Sequence, residues 1–453
     1  MLDRIKRKVS KYITNKNDKV LLKNITGAFT MKGLSLILSL FTLPAYMRFF
    51  DNQTVMGVWF TILSVVNWMF TFDVGIGNGL RNCLTKELVR GDKERIKTYI
   101  SSAYIMLTLI ALTMLFIGLS IFSYIDWNYF FNVEVVIIDP NTLLMAVRIM
   151  FAGVMLQFIF KLVAYVLYAL QKSAVNNIIS FFVSLFQLLA VVVIPSTDTS
   201  TNMIILAVVN AAIANLLYLI VTFYVFKNQQ LKGCGINPKY FKKDAAKDTI
   251  NIGLLFLWTQ VLHLLIVLTD DFLVTQFTSP SYEVEYSIYY RLFSLISTIF
   301  MLALTPMWSA VTKAQAEKDH LWLKKIYYLT NKFTLIAIGA EFLLIGVLQF
   351  VINIWLGDNA IDVNYLYAVI FAFYGSVSII QSVQQTFAYG FGIVKLQCIC
   401  YTVGVIVKFS IVYYGTQIWN DAWILVVLAN FIVMLPYCIL QPKYIIKEIN
   451  KLR

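Results

Sequence analysis

The sequence predicts an all-α polytopic membrane protein with twelve transmembrane helices. Hydrophobic residues make up 59% of the 453-residue chain, charged residues make up only 13%, and the mean hydropathy is +0.74. A soluble domain usually carries about 25% charged residues. The apolar residues stand in runs of roughly 20, the length that a helix needs to cross about 30 Å of hydrocarbon. A transmembrane β-barrel would show alternating segments of about ten residues, so the runs indicate helices.

Each predicted helix corresponds to one apolar run. In chain order, the runs lie near 24–48, 56–80, 98–124, 143–171, 175–194, 202–226, 248–275, 284–310, 326–352, 363–388, 393–415 and 421–440. The two terminal segments and every second loop together hold 30 Lys and Arg residues, with a single one in each of two short loops (Lys172 and Lys395), whereas the intervening loops together hold one, Arg48. The positive-inside rule predicts this alternation for an even number of spans with both termini in the cytoplasm. The net charge of +13 therefore reflects topology and anionic lipid surfaces, and a nucleic-acid partner is not predicted.

The chain is predicted to contain two halves of similar design. The segment TKELVRGDKERIKTYI at 85–100 resembles TKAQAEKDHLWLKKIY at 312–327, a shift of half the chain. Each half holds an even number of helices, so both halves enter the membrane from the same side, as in a parallel repeat of two six-helix lobes. The predicted parts are a basic cytoplasmic arm at 1–23, an N-lobe at 24–226, a cytoplasmic inter-lobe loop at 227–247, a C-lobe at 248–440 and a basic cytoplasmic tail at 441–453.

Polar residues recur at helical spacing within several predicted spans. One stripe lies in the run at 175–194 and consists of Asn177, Ser180, Ser184 and Gln187. Another lies in the run at 143–171 and consists of Gln157, Lys161, Tyr165 and Tyr168. Similar stripes run along the spans at 284–310, 363–388 and 393–415. A simple bundle needs only a few polar residues between its helices. The number of stripes favours a hydrated cavity between the lobes, with interhelical hydrogen bonding as the alternative.

Charged and polar residues inside the spans are the candidate binding groups, because charges in a bilayer usually face a cavity or a partner. The cations suited to an anionic group such as a phosphate are Arg291, Lys161, Lys408, Lys32 and Arg148. The neutral residues suited to sugar hydroxyls are Tyr374, Gln381 and Gln385. The candidates for coupling transport to a proton or sodium ion are Asp73, Glu341, Asp270 and His263. Snorkelling to the membrane surface is the alternative for Lys32 and Arg148, and local salt bridges are the alternative for the acids.

The stretch TFDVGIGNGLRN at 71–82 ends the second apolar run with alternating glycines. A dinucleotide fingerprint would need glycine at Leu80 and a preceding strand, so a nucleotide site is not predicted. Alternating glycines loosen a helix and let a neighbouring helix approach closely. We therefore predict a bent, closely packed inner gate, with a simple packing motif as the alternative. The gate residues are Asp73, Gly75, Gly77, Gly79, Asn78 and Arg81.

Two blocks of sequence carry a resemblance to a known family. TFDVGIGNGLRN followed by GDKERIKTYISSAY, and YSIYYRLFSL followed by TPMWSAVTKAQAEKDHLWLKK, resemble segments of Wzx-type bacterial oligosaccharide flippases. These flippases form the polysaccharide transporter branch of a superfamily that includes the multidrug and toxin extrusion (MATE) transporters. The resemblance extends over nearly the whole chain and implies a MATE-like fold in the bacterial inner membrane.

The same resemblance implies a function. The substrate would be an undecaprenyl-diphosphate-linked oligosaccharide, moved from the cytoplasmic to the outer leaflet by alternating access for O-antigen, capsule or related polysaccharide. A polysaccharide polymerase and a chain-length regulator would be partners, besides the membrane lipids. No enzyme activity, metal or other cofactor is expected, apart from a coupling ion. The alternative function is a cation-coupled exporter of small molecules with the same fold.

Overall fold

The computed structural model describes residues 16–50, 52–71, 75–131, 133–227, 231–270, 273–274, 280–356, 361–419 and 423–452. Within these residues the regular structure is entirely helical. The chain separates into two compact units, and the boundary falls between Leu254 and Leu255.

Among its described residues, the first unit contains eight complete α-helices and the start of a ninth. They are α1 (Lys16–Phe49), α2 (Gln53–Thr71), α3 (Ile76–Arg90), α4 (Lys93–Ile121), α5 (Trp127–Phe130), α6 (Pro140–Ala169), α7 (Ser173–Val193), α8 (Thr199–Lys227) and α9 (Lys243–His263). The unit boundary lies within α9. The described helices of the second unit continue with a π-helical turn at Leu264–Leu268, α10 (Pro280–Ala316), α11 (His320–Leu356), α12 (Tyr365–Phe391), α13 (Lys395–Gly415) and α14 (Trp423–Asn450).

Local sequence signals fix several helix ends. Asp92 accepts a 3.0 Å hydrogen bond from the backbone N–H of Arg95 and so caps α4. Asp139, which directly precedes Pro140, accepts hydrogen bonds from two backbone N–H groups of the first turn of α6. Proline suits the first position of this helix because it has no N–H group to leave unpaired. Gly392 ends α12 with a φ of 74°, a left-handed conformation that glycine adopts without steric cost.

The predicted spans agree with the structure over most of the chain. Ten helices of the described residues are long and apolar enough to cross a bilayer, and they coincide with the third to the twelfth predicted run. The first run lies on α1, and most of the second lies on α2. The helices extend beyond the apolar runs at both ends of the chain: α1 already begins at Lys16, and α14 continues to Asn450. The protein is a multi-pass membrane protein.

One long central helix organises the first unit. Helix α6 contacts α2, α3, α4, α7 and α8. Its residues Leu143, Val163 and Val166 are completely buried. Two helices, α12 and α14, take this role in the second unit. Helix α12 contacts α10, α11 and α14, and α14 also contacts α13. There, Trp423 of α14 packs against the ring of Tyr367 of α12 at a centroid distance of 5.0 Å.

The two units repeat one scheme of helix contacts. In the first unit, α6 contacts α3, α4 and α8, and α7 contacts α8. In the second unit, α12 contacts α10, α11 and α14, and α13 contacts α14. Corresponding helices follow each other in the same order along the chain, as the predicted repeat requires.

The prediction of one continuous helix over 56–80 is wrong. Helix α2 extends to Thr71, Gly75 adopts a left-handed φ of 68°, and α3 begins at Ile76. The segment from 81 onward, predicted as a cytoplasmic loop, instead continues α3 to Arg90. The prediction relied on apolar content, and α3 is too polar to resemble a membrane span. Most of its residues are nevertheless buried against other parts of the protein.

Candidate functional site

A cavity of about 430 Å³ lies inside the first unit. Its walls come from α1, α2, α6, α7 and α8, and the apolar part includes Phe60, Val66, Met150 and Val154. A cavity of this volume falls in the range of small-molecule binding sites. Its polar lining residues are Thr42, Tyr46, Gln157, Ser180, Ser184, Gln187, Asn210 and Tyr218.

The polar part of this cavity is electrically neutral. All of its described lining residues are apolar, hydroxyl-bearing or amide-bearing, and none carries a charge. The amides of Gln157 and Gln187 have no hydrogen-bond partner in the described part of the chain, so their donors and acceptors are available to a ligand. Such a lining can hydrogen-bond a neutral polar molecule while its apolar walls contact the ligand's carbon atoms.

Sequence patterns found part of this cavity. The stripe residues Ser180, Ser184 and Gln187 of α7 and Gln157 of α6 all line it. Four polar lining residues were missed by the sequence analysis, although their spacing carried a signal. Thr42 and Tyr46 of α1 are four residues apart, and Asn210 and Tyr218 of α8 are eight apart, so each pair shares a helix face.

The predicted phosphate-binding cations of the first unit are dispersed. Lys161 lies one helical turn beyond Gln157 on α6, is half-buried, and borders a small pocket together with Gly77 and Tyr165. Lys32 is exposed on α1. The guanidinium of Arg148 donates a 2.5 Å hydrogen bond to the Ser123 hydroxyl. Lys161 is thus the predicted cation that lies one turn of α6 beyond a residue of the neutral cavity.

The predicted cations of the second unit have contrasting environments. Arg291 is exposed on α10. Lys408 of α13 is fully buried and forms an ion pair with Asp270, and its ammonium also donates to the backbone carbonyl of Ile266. In this conformation Lys408 is enclosed by protein and its charge is neutralised, so it does not face a ligand as the sequence analysis expected.

Asp270 is surrounded by donors. Besides Lys408, the Asn430 amide donates to it at 2.5 Å and the Tyr286 hydroxyl donates at 3.1 Å. The carboxylate is 1% exposed. A buried carboxylate is tolerated in an apolar setting when a cation and further donors satisfy it, and here the local salt bridge anticipated as the alternative is present.

The predicted sugar-binding residues of α12 bond to protein groups or are buried. The Gln381 amide donates to Gln385 at 2.9 Å, and the Gln385 amide donates to the Tyr389 hydroxyl at 2.6 Å. The Tyr389 hydroxyl shares a 2.8 Å hydrogen bond with Thr259 of α9. Tyr374 is 7% exposed and borders a pocket of only about 40 Å³. Their polar groups therefore stabilise the interior of the second unit in this conformation.

A second buried carboxylate, Glu341 of α11, has different surroundings. It is completely buried, and neither carboxyl oxygen has a hydrogen-bond partner among the described residues. It packs against Gly375 of α12, where an added methyl group would come within 2.7 Å of the carboxyl carbon. His263 is half-buried at the end of α9, and its Nδ1 also lacks a partner within the described chain.

The glycines of the predicted gate pack closely within the first unit. A methyl group added at Gly79 would lie 2.1 Å from the carbonyl oxygen of Thr249 in α9, and one at Gly77 would overlap the ring of Tyr165. The backbone of Gly75 packs directly against the backbone of Gly253 in α9. Only glycine permits this approach, because any side chain at these positions would collide with the facing backbone or ring.

Two other gate residues, Asn78 and Arg81, are buried at 6% and 2% exposure. The guanidinium of Arg81 lies 4.6 Å from the centre of the Tyr168 ring, within cation–π range. Asp73 lies outside the described residues. The structure thus gives this segment a defined packing role, and its action as a gate stays a prediction.

Comparison with solved structures identifies the fold of the chain. No family model and no curated protein matches the chain. An outward-facing multidrug resistance MATE family transporter of the MOP superfamily superposes with a TM-score of 0.73 at 11% identity, covering 96% of this chain and 97% of the other. The chain has the MATE fold.

Further MATE-fold structures match equally completely. A crystal structure of MATE in complex with MaD3S gives a TM-score of 0.74 at 12% identity. A MOP superfamily transporter from Pyrococcus furiosus, described by the reverse polarity of its binding pocket, gives 0.71 at 10% identity. Both comparisons cover 96% of this chain and 97% of the other. At such identities the MATE fold is shared while the residues that line its cavities are free to differ.

Proposed function

We propose that the protein is a flippase that moves undecaprenyl-diphosphate-linked oligosaccharide repeat units from the cytoplasmic to the outer leaflet of the bacterial inner membrane. The neutral polar cavity of the first unit is the observation that carries this proposal. Its amides and hydroxyls match the hydroxyl groups of a sugar, and its aromatic and aliphatic walls match the carbon face of a sugar ring. The MATE fold, shared with transporters, supports movement of a substrate across a bilayer by alternating access.

The other parts of the substrate require different surroundings. The diphosphate needs a cation, and Lys161 lies one turn of α6 from the cavity. Arg291, Lys32 and Arg148 are the remaining candidate cations, since Lys408 is paired with Asp270. Glu341 is the strongest candidate for coupling to a proton or sodium ion, because its buried carboxyl lacks a partner in the described chain. A polymerase and a chain-length regulator remain proposed partners.

A cation-coupled exporter of small molecules is the second candidate. The likeness to a multidrug resistance MATE transporter favours it. However, many exported drugs are cationic, and the described lining of the first-unit cavity offers no acidic side chain to neutralise them. We therefore rank this function second.

The test is transport by the purified protein in proteoliposomes. A lipid-linked oligosaccharide is incorporated, and its transfer is read by the fraction of glycan that a membrane-impermeant glycosidase can cleave. We expect faster transfer than in protein-free vesicles, and slower transfer when Gln157→Leu and Gln187→Leu are combined. The matched control is Gln417→Leu, because Gln417 is exposed beyond the end of α13.

A cellular experiment separates the two candidate functions. Deletion of the gene should cause lipid-linked repeat units to accumulate inside the cell and long surface polysaccharide to disappear. Intact polysaccharide together with new sensitivity to cationic drugs would contradict the flippase and support the exporter.

A further inference from the structure

Three hydroxyls of the first-unit cavity already donate their protons to backbone carbonyls. The hydroxyl of Ser180 donates to the backbone carbonyl of Asn176 at 3.1 Å, and that of Ser184 donates to the Ser180 carbonyl at 3.2 Å. The Thr42 hydroxyl donates to the Leu38 carbonyl at 3.2 Å. Each hydroxyl has a single proton, so these groups turn only oxygen lone pairs toward the cavity.

Asn210 is another neutral polar residue of the lining. One N–H group of its amide donates to the Leu206 carbonyl at 2.9 Å, and the amide carries a second N–H group and an oxygen. The amides of Gln157 and Gln187 supply donors as well as acceptors. The cavity therefore suits a ligand whose uncharged groups both donate and accept hydrogen bonds, as sugar hydroxyls do.

An ionised carboxylate has the opposite requirement. It only accepts hydrogen bonds, and taking it out of water without a cation is costly. No described residue that lines the cavity is a cation. Lys161 lies one turn away along α6 and borders a separate pocket.

We infer that the cavity selects an uncharged sugar, so the transported repeat unit carries a neutral residue here rather than a uronic acid or another acidic sugar. This inference rests on the proposed flippase function and specifies its substrate class. It follows from the absence of cations among the described lining residues and from the neutral hydroxyls and amides that make up the polar part of the lining.

The experiment compares two lipid-linked oligosaccharides of equal length that differ by one hexose or hexuronate at the same position. Proteoliposomes with the wild-type protein should transfer the neutral substrate faster by at least about tenfold. Gln187→Arg should narrow or reverse this preference, because it places a cation in the cavity. Gln417→Arg, with the same change at an exposed position, should leave the preference unaltered.

Each outcome has a separate meaning. Transfer of neither substrate would refute the proposed function itself. Equal transfer of both, or faster transfer of the acidic one by wild type, would overturn the inference while leaving the flippase function in place. Ser184→Lys is the second variant in case Gln187→Arg does not fold, since Ser184 has an exposed side chain that can accommodate a longer group. Unchanged preference in a folded cationic variant would also overturn the inference.

Discussion

Replacing Lys408 by methionine should strongly destabilise the second unit. The ammonium of Lys408 is enclosed with Asp270, and Lys408→Met leaves that carboxylate buried without a cation. Removing one partner of a buried ion pair typically costs about 3–5 kcal/mol. Asn430 and Tyr286 still donate to the carboxylate, so we expect the lower end, about 3 kcal/mol.

The converse variant should be worse. Asp270→Asn leaves the buried ammonium with only neutral acceptors, such as the Ile266 carbonyl, and without a counter-charge, so we expect a loss of about 5 kcal/mol. Combining Asp270→Asn with Lys408→Met removes both charges, and the asparagine can still bond to the Tyr286 hydroxyl. We expect the double variant to lose no more than about 1–2 kcal/mol, because replacing both ions avoids an unpaired buried charge.

Thermal unfolding in detergent, followed by tryptophan fluorescence, measures these differences. For a folding unit of 150–250 residues, about 1 kcal/mol corresponds to roughly 2–4 °C, so Lys408→Met should lower the midpoint by about 6–12 °C. The double variant should recover most of this loss. A Lys408→Met protein with an unchanged midpoint, or a double variant as unstable as the sum of the single ones, would refute the assignment of a buried ion pair.

Three further substitutions or modifications test the packing. Gly375→Ala adds a methyl group 2.7 Å from the Glu341 carboxyl and should cost about 1–3 kcal/mol in thermal stability, with recovery when Glu341→Ala is added; no recovery would contradict this contact. Gly79→Ala places a methyl group 2.1 Å from a backbone carbonyl of α9 and should reduce the yield of folded protein in size-exclusion chromatography, whereas Gly33→Ala, which meets open space, should not. Burial raises the pKa of the Cys83 thiol to about 12, so N-ethylmaleimide near neutral pH should modify it only after unfolding in SDS, as read by mass spectrometry; rapid labelling of the folded protein would show that the thiol is accessible.

The sequence alone predicted the membrane spans well because each span must bury about 20 apolar residues in lipid. This requirement produces a local signal that does not depend on the rest of the fold. Helix α3 escaped prediction for the opposite reason. Protein, rather than lipid, surrounds residues such as Asn78 and Arg81, so their polarity resembled a loop.

The candidate site was predictable only where it repeats along one helix. Ser180, Ser184 and Gln187 form such a repeat, and they line the cavity. The pair of Lys408 and Asp270 joins residues 138 positions apart, and nothing in the local spacing of either residue identifies its partner. A charged residue inside a span indicates a functional or structural role. Whether its side chain faces a ligand or another side chain depends on how the helices pack.

The glycine contact between α3 and α9 has a consequence for how the protein is made. Gly75 and Gly79 are covered by Gly253 and the Thr249 backbone, which follow the linker after α8. A nascent chain that has inserted its first six apolar spans still lacks this cover, so the first unit reaches its final packing only after the ribosome has synthesised α9. A gene split within 231–242 would therefore yield an amino-terminal fragment in which these two glycines lack their contact with α9. The amino-terminal fragment from a split after α9 would contain that contact.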